Sequence, residues 1–520
     1  MGTIQAYFLE HLEWSLHLFT IWNVGVYRHN YLLILIVLNV ISLVIVGLSV
    51  NVVKLKLRSL YGGLLQLISC VLMVTQFDLN TQGAQYHIVG ISNILTLDYV
   101  DPVSSIFLIY HLSVDGISIF FILLSVFLLP ICILCSWTTV TVRVKEFHIM
   151  LHLITLLLIH VFCVQDLLLF YIFFESILIP MFFVIGVWGS RDRKIHAGYQ
   201  FFLYTLVGSL LMLLSIIYLL ITVGSTHCYV LYMYDYSILE GRLIWLAFFL
   251  SFAVKVPMVP FHIWLPEAHV EAPTAGSVLL AGILLKMGTY GLIRFSLPMF
   301  PEATVFFKPL VFAMSLVSII YAACTTIRQV DLKKVIAYSS VGHMNYVTLG
   351  ILSNNIYGLE GSILLMLGHG LVSSALFLCV GLLYERYHSR IILYYGGLIF
   401  GMPIFGIFFM FFTFANVSLP GTSNFIGEFL ILLGVAETNM VAAIIASIGV
   451  ILGAVYAIWL YNRIMFGTVK INLTKFSDMN RKEVFLSVIL VILILLVGFY
   501  PSCLTDYMHQ DLMEILERQL

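Results

Sequence analysis

Apolar residues run along this chain in long unbroken stretches separated by short polar connections. A hydrocarbon layer roughly 30 Å thick needs about 20 apolar residues per crossing helix. Fourteen stretches approach that length, at approximately 31–53, 59–77, 117–137, 148–165, 167–188, 198–223, 242–265, 270–294, 304–326, 334–352, 360–384, 395–436, 440–465 and 484–502. The twelfth is too long for one crossing and contains a break. Segment 78–116 carries no Lys or Arg, ends in Val114-Asp115-Gly116, and reads as an ordered external loop.

The basic residues test this segmentation, because inner loops are enriched in Lys and Arg. With each loop numbered by the span before it, the odd loops hold Lys54, Lys56 and Arg58; Arg143 and Lys145; Arg191, Arg193 and Lys194; Arg328, Lys333 and Lys334; Arg386 and Arg390; and Arg463, Lys470, Lys475, Arg481 and Lys482. These are most of the 25 basic residues, and Arg242, Arg294 and Lys308 lie at helix ends. A wrong span count would scramble the alternation. It places both termini on the outer side.

Spans 4–8 and 9–13 form two groups of five. Five is odd, so the second group enters the membrane upside down. The fourth span of each group carries a helix breaker beside an ionisable residue: Lys255-Val-Pro257-Met-Val-Pro260 in span 7, and Asn416-Val-Ser-Leu-Pro420-Gly421, followed by Gly427-Glu428, in span 12. Proline removes an amide donor and clashes with the carbonyl four residues back. Freed backbone polarity is tolerated at membrane depth only inside protein or against a wet cavity, and paired broken helices in inverted halves point to an ion pathway. The pattern predicts an all-α polytopic membrane protein of about fourteen transmembrane helices, with two inverted five-helix repeats and broken helices 7 and 12. The expected divisions are an N-terminal region 1–147 with three helices and the external loop, a first repeat 148–294 forming a proton half-channel, a second repeat 304–465, and a C-terminal helix and tail 466–520.

Composition agrees. Hydrophobic residues make up 61% and charged residues 10%, against about 25% charge in a soluble domain. A net charge of −1 gives no sign of nucleic-acid binding. The N-terminus, 1–28, has no Arg/Ser-rich transit peptide. So apolar a chain is hard to import, which suggests synthesis beside its own membrane, and 39 Phe with 28 Tyr fit an AT-rich organellar genome. The eight cysteines are scattered through apolar runs. Cys132 and Cys135 have CxxC spacing but no second pair and no nearby ligating histidine, so they read as small core residues. No Rossmann, P-loop, zinc or iron–sulfur spacing appears, so no site for NADH, flavin or metal is expected in this chain.

Ionisable residues inside the spans carry the candidate chemistry. Glu175 lies eight residues into span 5, about 12 Å along its axis. Lys255 is in span 7, Lys286 in span 8 and Glu428 in span 12. A charge at the bilayer centre costs about 2.5–3.5 kcal/mol or more, so such groups need partners or a function. Glu175 and Lys255 could form a static clamp. They could equally form a switch: together each charge stabilises the other, and apart burial disfavours both, so the lysine can hand its proton to Lys286. Histidine relays protons near neutral pH, and His343 and His369 would lie between the lysines and Glu428; a buried histidine bonded to a carbonyl is the plainer alternative for each. His262 and His269, near Glu267 and Glu271, suit either a polar inlet or helix-end hydrogen bonds. Asp166 reads as an N-cap. His148, His152 and His160 read as interfacial or packing residues, since span 6 offers no partner for haem ligation.

The run from Phe252 to Gly288, containing Lys255, Pro257, Pro260, His262, Pro266, His269, Pro273, Ser277 and Lys286, resembles the core of the antiporter-like membrane subunits of respiratory NADH:ubiquinone oxidoreductase (complex I). So do Asp115-Gly-Ile-Ser118, Phe173-Phe-Glu175, Ser339-Ser-Val-Gly-His343 and Leu419-Pro-Gly421 through Glu428. The resemblance covers roughly 110–470 and extends to Mrp-type cation/proton antiporters. A glutamate at 428 resembles the chain 4 branch, whereas sister chains 2 and 5 resemble the pattern with lysine there. The resemblance implies proton translocation coupled to NADH-to-ubiquinone electron transfer elsewhere in the complex. It makes Glu175 and Lys255 the input pair, Lys286, His343 and His369 the central relay, Glu428 the output, and His262 and His269 auxiliary members. It further implies FMN, iron–sulfur clusters and ubiquinone in partner subunits. The implied partners are sister chains 2 and 5, accessory subunits and lipids such as cardiolipin, with no nucleic acid. The implied place is the mitochondrial inner membrane, or else a bacterial plasma membrane. An Mrp-type Na+(K+)/H+ antiporter subunit is the second reading, and a purely structural membrane-arm subunit the third.

Overall fold

The computed structural model describes residues 30–79, 81, 83–95, 106–470 and 477–518; the expectations for the N-terminus, 1–28, and for Lys475 lie outside them. Helices dominate: α1 Tyr31–Leu48, α2 Val52–Thr75, α3 Ser118–Thr139, α4 Val144–Cys163, α5 Leu167–Trp188, α6 Lys194–Val223, α7 Ile238–Lys255, α8 Trp264–Glu271, α9 Thr274–Met299, α10 Pro301–Arg328, α11 Leu332–Ile351, α12 Ile356–Tyr387, α13 Pro403–Asn416, α14 Ser423–Thr438, α15 Met440–Met465, α16 Arg481–Phe499 and α17 Ser502–Glu517. Among the described residues, 11 helices are long and apolar enough to cross a membrane. The predicted stretches 242–265, 334–352 and 395–436 fall on α7–α8, α11 and α13–α14, which are broken or carry more polar residues.

Short polar side chains start many of these helices. Asp166 Oδ1 accepts from Leu168 N at 2.9 Å and Leu169 N at 3.1 Å, the N-cap the sequence suggests. Asn355 accepts from Gly358 N at 2.9 Å, and Ser237 with Glu240 closes a capping box on α7. Such caps satisfy orphan amides that hydrocarbon could not solvate.

Packing sorts the helices into centre and rim. The span windows of α9 and α12 are 100% buried within the chain, whereas that of α6 is 33% buried. Large apolar side chains on α1, α2, α6 and α15, such as Leu48, Leu65, Leu214 and Ile451, face outward, where lipid would cover them. Loops gather at two ends. At one, Lys333 reaches Ala272 O, Arg390 reaches Val270 O and Ser190 Oγ, and Arg386 pairs with Glu483. At the other, Gln165 N donates to His111 O, Arg294 pairs with Asp115, and Gly116 N donates to Asp511.

The described part of the 78–116 loop forms an antiparallel hairpin, β1 Gln85–Leu95 and β2 Ile106–Val114. Its strands show little apolar–polar alternation, the usual sequence sign of a half-buried strand.

Candidate functional site

The ionisable groups sit where helices lose regularity. Pro180 has no amide for the Ser176 carbonyl, and α5 breaks at Ile177, two residues after Glu175. The α7 helix ends at Lys255, ahead of Pro257 and Pro260, so the ammonium lies at a helix C-terminus, where the dipole favours a cation. Between α13 and α14 the turn contains Ser418 and Gly421, both at positive φ; at +90° Gly421 uses the freedom that only glycine has without cost. In α9 a π-helical turn at Leu280–Leu284 precedes Lys286, whose Nζ bonds the Ala281 carbonyl. Such turns are frequent at functional sites.

These irregular places converge. Lys255 Nζ stands 4.0 Å from Glu175 Oε1, with side chains 4% and 15% exposed. That is an ion pair without a direct hydrogen bond. The ammonium instead donates to Phe174 O at 3.4 Å and lies 4.0 Å from the Phe174 ring centroid. Helix α7 meets α9 at Gly288, where a Cβ would come within 3.2 Å of Lys255 Cβ, two residues past Lys286. Lys286 Nζ is 2.9 Å from His369 Nδ1, and both residues are fully buried. Because an ammonium only donates, this Nδ1 accepts, and Nε2–H donates to Ser340 Oγ at 3.1 Å. The rings of His369 and His343 are 5.4 Å apart, and His343 Nδ1 is 2.8 Å from Glu428 Oε1. Close approach of α12 and α14 sets this level: a Cβ on Gly427 would lie 2.7 Å from Leu365 N. Beside Glu428 is a cavity of about 30 Å³ lined by Tyr338, Ser339, His343, Tyr346, Asn416 and Tyr456, enough for a water.

Six of the predicted site residues therefore fall into two buried groups, Glu175 with Lys255 and Lys286 with His369, His343 and Glu428, which meet where α7 packs on α9 at Gly288. His269 lies within electrostatic reach of Lys286 and His369 but is hydrogen-bonded to neither, and His262 stands apart. His269 is fully buried and stacks on Phe377 at 4.8 Å, with neither ring nitrogen hydrogen-bonded. His262 faces Tyr321 and Tyr338. Their expected neighbours Glu267 and Glu271 are engaged elsewhere, Glu267 with Lys334 at 2.7 Å and Glu271 with Arg390 at 3.8 Å. Ser340, the partner of His369, carries no role in the sequence pattern although it lies inside the motif that contains His343.

His148 and His152 are packing residues rather than interfacial ones. Both are fully buried and bond Ser59 Oγ at 3.0 and 3.1 Å, and His152 also bonds Ser42 Oγ at 3.2 Å. His160 bonds the Leu156 carbonyl at 2.8 Å. Cys132 and Cys135 are unbridged, with their thiols directed at the carbonyls of Ala275 and Cys132. No group of three or more potential metal ligands occurs among the described residues.

Residues 164–453 match the family model described as NADH:quinone oxidoreductase/Mrp antiporter, TM. The chain is 58% identical over 409 residues to NADH-ubiquinone oxidoreductase chain 4 of Marchantia polymorpha, covering 78% of this chain and 83% of that one. It is 58% identical over 411 residues to the same-named chain of Chondrus crispus, covering 79% and 84%. Among solved structures, a chain of respiratory complex I from Thermus thermophilus with bound NADH superposes with a TM-score of 0.83 at 26% identity, covering 94% of this chain and 100% of that one. The chain thus belongs to the NADH:quinone oxidoreductase/Mrp antiporter family, in its NADH-ubiquinone oxidoreductase chain 4 branch, and is a membrane subunit of that proton-translocating enzyme.

Proposed function

We propose that this chain moves protons through the line from Glu175 and Lys255, by way of Lys286, His369 and His343, to Glu428. One observation carries the reading: ionisable side chains from α5, α7, α9, α12, α11 and α14 succeed one another through an interior where charge is costly. The loose Glu175–Lys255 geometry favours a switch over a clamp, since a clamp would close to hydrogen-bond length. Lys286 gives its proton to His369 Nδ1, and the His369 Nε2 proton leaves through Ser340 toward His343 and Glu428. When the Glu175–Lys255 pair parts, Lys255 loses its counter-ion and its proton restores the ammonium of the now neutral Lys286. Within this reading the chain has fourteen spans, its two five-helix repeats, 148–294 and 304–465, form the two half-channels, and His262 and His269 are auxiliary polar stations.

FMN, iron–sulfur clusters and ubiquinone then belong to partner subunits. Sister chains 2 and 5, accessory subunits and acidic lipids such as cardiolipin pack against the apolar rim. The membrane is the mitochondrial inner membrane, in keeping with the relatives' names and the organelle-like composition. The relation to Mrp antiporters supplies a second reading, cation/proton exchange without a redox partner. Native electrophoresis of solubilised membranes, stained for NADH oxidation and read by mass spectrometry, separates the two. The proposed function places this chain in a very large NADH-oxidising band; migration apart from that activity would favour the exchanger.

A further inference from the structure

A second polar line lies away from the buried relay, at the end of the bundle where β1 and β2, the His227 loop, the end of α9 and the C-terminal helix α17 meet. Three imidazoles are hydrogen-bonded in series there. His87 Nδ1 is 3.0 Å from His111 Nε2, and His111 Nδ1 is 3.0 Å from His227 Nε2. The rings are stacked, with centroids 5.2 and 5.3 Å apart. His87 Nε2 lies 2.8 Å from the Ala84 carbonyl, which can only accept. That contact fixes the set: each ring carries its proton on Nε2 and accepts at Nδ1. Three histidines aligned with one polarity make a wire, and imidazole is the side chain best suited to shuttling protons near neutral pH.

The wire runs from an exposed ring to one that stacks beside a polar cavity. His87 is exposed, while His111 and His227 are half-buried. Tyr229 stacks on the His227 ring at 5.6 Å and lines a cavity of about 40 Å³ together with Ala84, Asp115, Arg294, Asp511 and Arg518. This is room for a water. Asp511 reaches Gly116 N at 2.6 Å, and burial together with the neighbouring Asp115 raises its carboxyl to about 7. Burial, then neighbouring positive charge, lowers His111 to about 3 and His227 to about 4. Both rings are therefore neutral near pH 7, as the tautomer assignment requires. The charged groups facing the wire are Arg294, bonded to Asp115 and Gln165, and Asp166, held by Thr226.

We propose that His227, His111 and His87 form an outer-face proton wire between the Asp115–Asp511 cavity and bulk solution, serving the proton translocation assigned above. A proton arriving at His227 Nδ1 displaces its Nε2 proton to His111 Nδ1. The His111 Nε2 proton moves to His87 Nδ1, and the His87 Nε2 proton leaves to water. Return of the three tautomers resets the wire, with one proton in and one out. The inference rests on the translocation reading, so its test includes a control for that reading.

The intact complex is reconstituted in vesicles with this face inward, and a trapped pH dye records luminal acidification per NADH oxidised. Glu175→Gln defines the share carried by this chain. His111→Phe, which keeps the stacked ring but no nitrogen, loses most of that share, and roughly tens of millimolar trapped imidazole restores it, since a mobile base replaces a missing relay group. Uncoupled NADH oxidation is unchanged. Full acidification by His111→Phe while Glu175→Gln fails would overturn the wire and leave the buried relay standing; full acidification by both would overturn both. A loss that imidazole does not restore would make the rings structural. If His111→Phe fails to assemble, His87→Phe at the exposed end decides by the same loss and rescue.

Discussion

Glu175→Gln is the most informative single change, because it removes one charge and keeps the shape. At 4.0 Å, unit charges in an effective dielectric near 20 attract by about 4 kcal/mol. That is the upper limit of what Glu175 contributes to holding the Lys255 proton, and it corresponds to a factor of about 10³ in proton occupancy. The amide oxygen introduced by Glu175→Gln can still accept from the ammonium and recover part of this, while the Phe174 carbonyl at 3.4 Å and the Phe174 ring stabilise the ammonium independently. Proton transfer through this chain should therefore slow between about tenfold and about 10³-fold. The assay is NADH-driven acidification by the reconstituted complex, with uncoupled electron transfer followed in parallel. A double substitution of Glu175 and Lys255 by glutamine sharpens the test. A static clamp predicts that the double variant regains what each single variant loses, because no buried charge is left unpaired. A switch predicts that stability recovers and pumping does not. Pumping within about twofold of wild type in Glu175→Gln would mean that Glu175 does not hold the Lys255 proton.

Three further predictions concern the frame around the relay. Gly116→Ala places a Cβ 1.9 Å from the Tyr507 carbonyl oxygen, a backbone atom that cannot step aside, so α17 should undock and its amides exchange faster; unchanged exchange would refute the docking geometry. Docking of α17 should also weaken with rising pH. Asp511 is raised to about 7 by burial and by Asp115. The folded form therefore holds this proton more tightly than the unfolded chain, near 3.9. Stability from this group is full below about 4 and lost as pH rises through about 7; protection factors in α17 that increase from pH 5.5 to 8 would contradict it. Arg390→Met leaves Glu271 and the Val270 carbonyl without their guanidinium partner at a fully buried site. Breaking such a pair costs about 3–5 kcal/mol, so the melting temperature of the complex or its yield should fall, whereas an unchanged melting curve would mean that water replaces the arginine.

Much of the candidate site was legible because hydrocarbon punishes polarity. Lys286 in an apolar run, or Pro257 and Pro260 beside Lys255, has no bland explanation at membrane depth, and so each announces itself. Features that depend on three-dimensional pairing were hidden. Ser340 looks like an ordinary small helical residue until His369 Nε2 is found 3.1 Å away. The π-helical turn that frees the Ala281 carbonyl for Lys286 has no proline or glycine pair to mark its register. The choice between interfacial and packing roles for His148 and His152 stayed open because their partners, Ser42 and Ser59, are 110 and 93 residues from His152 in the chain. The hairpin hid for a different reason, since β1 and β2 lack the alternation that reveals a half-exposed sheet.

Lys286 lies at the middle of the buried line, fully enclosed between Ala281 O and His369 Nδ1. The most direct test of the account is the number of protons moved per NADH by the intact complex carrying Lys286→Met, a substitution of similar length without charge. A proton route through Lys286 requires a lower ratio, with assembly and uncoupled NADH oxidation preserved. A ratio equal to that of the unaltered complex would contradict it.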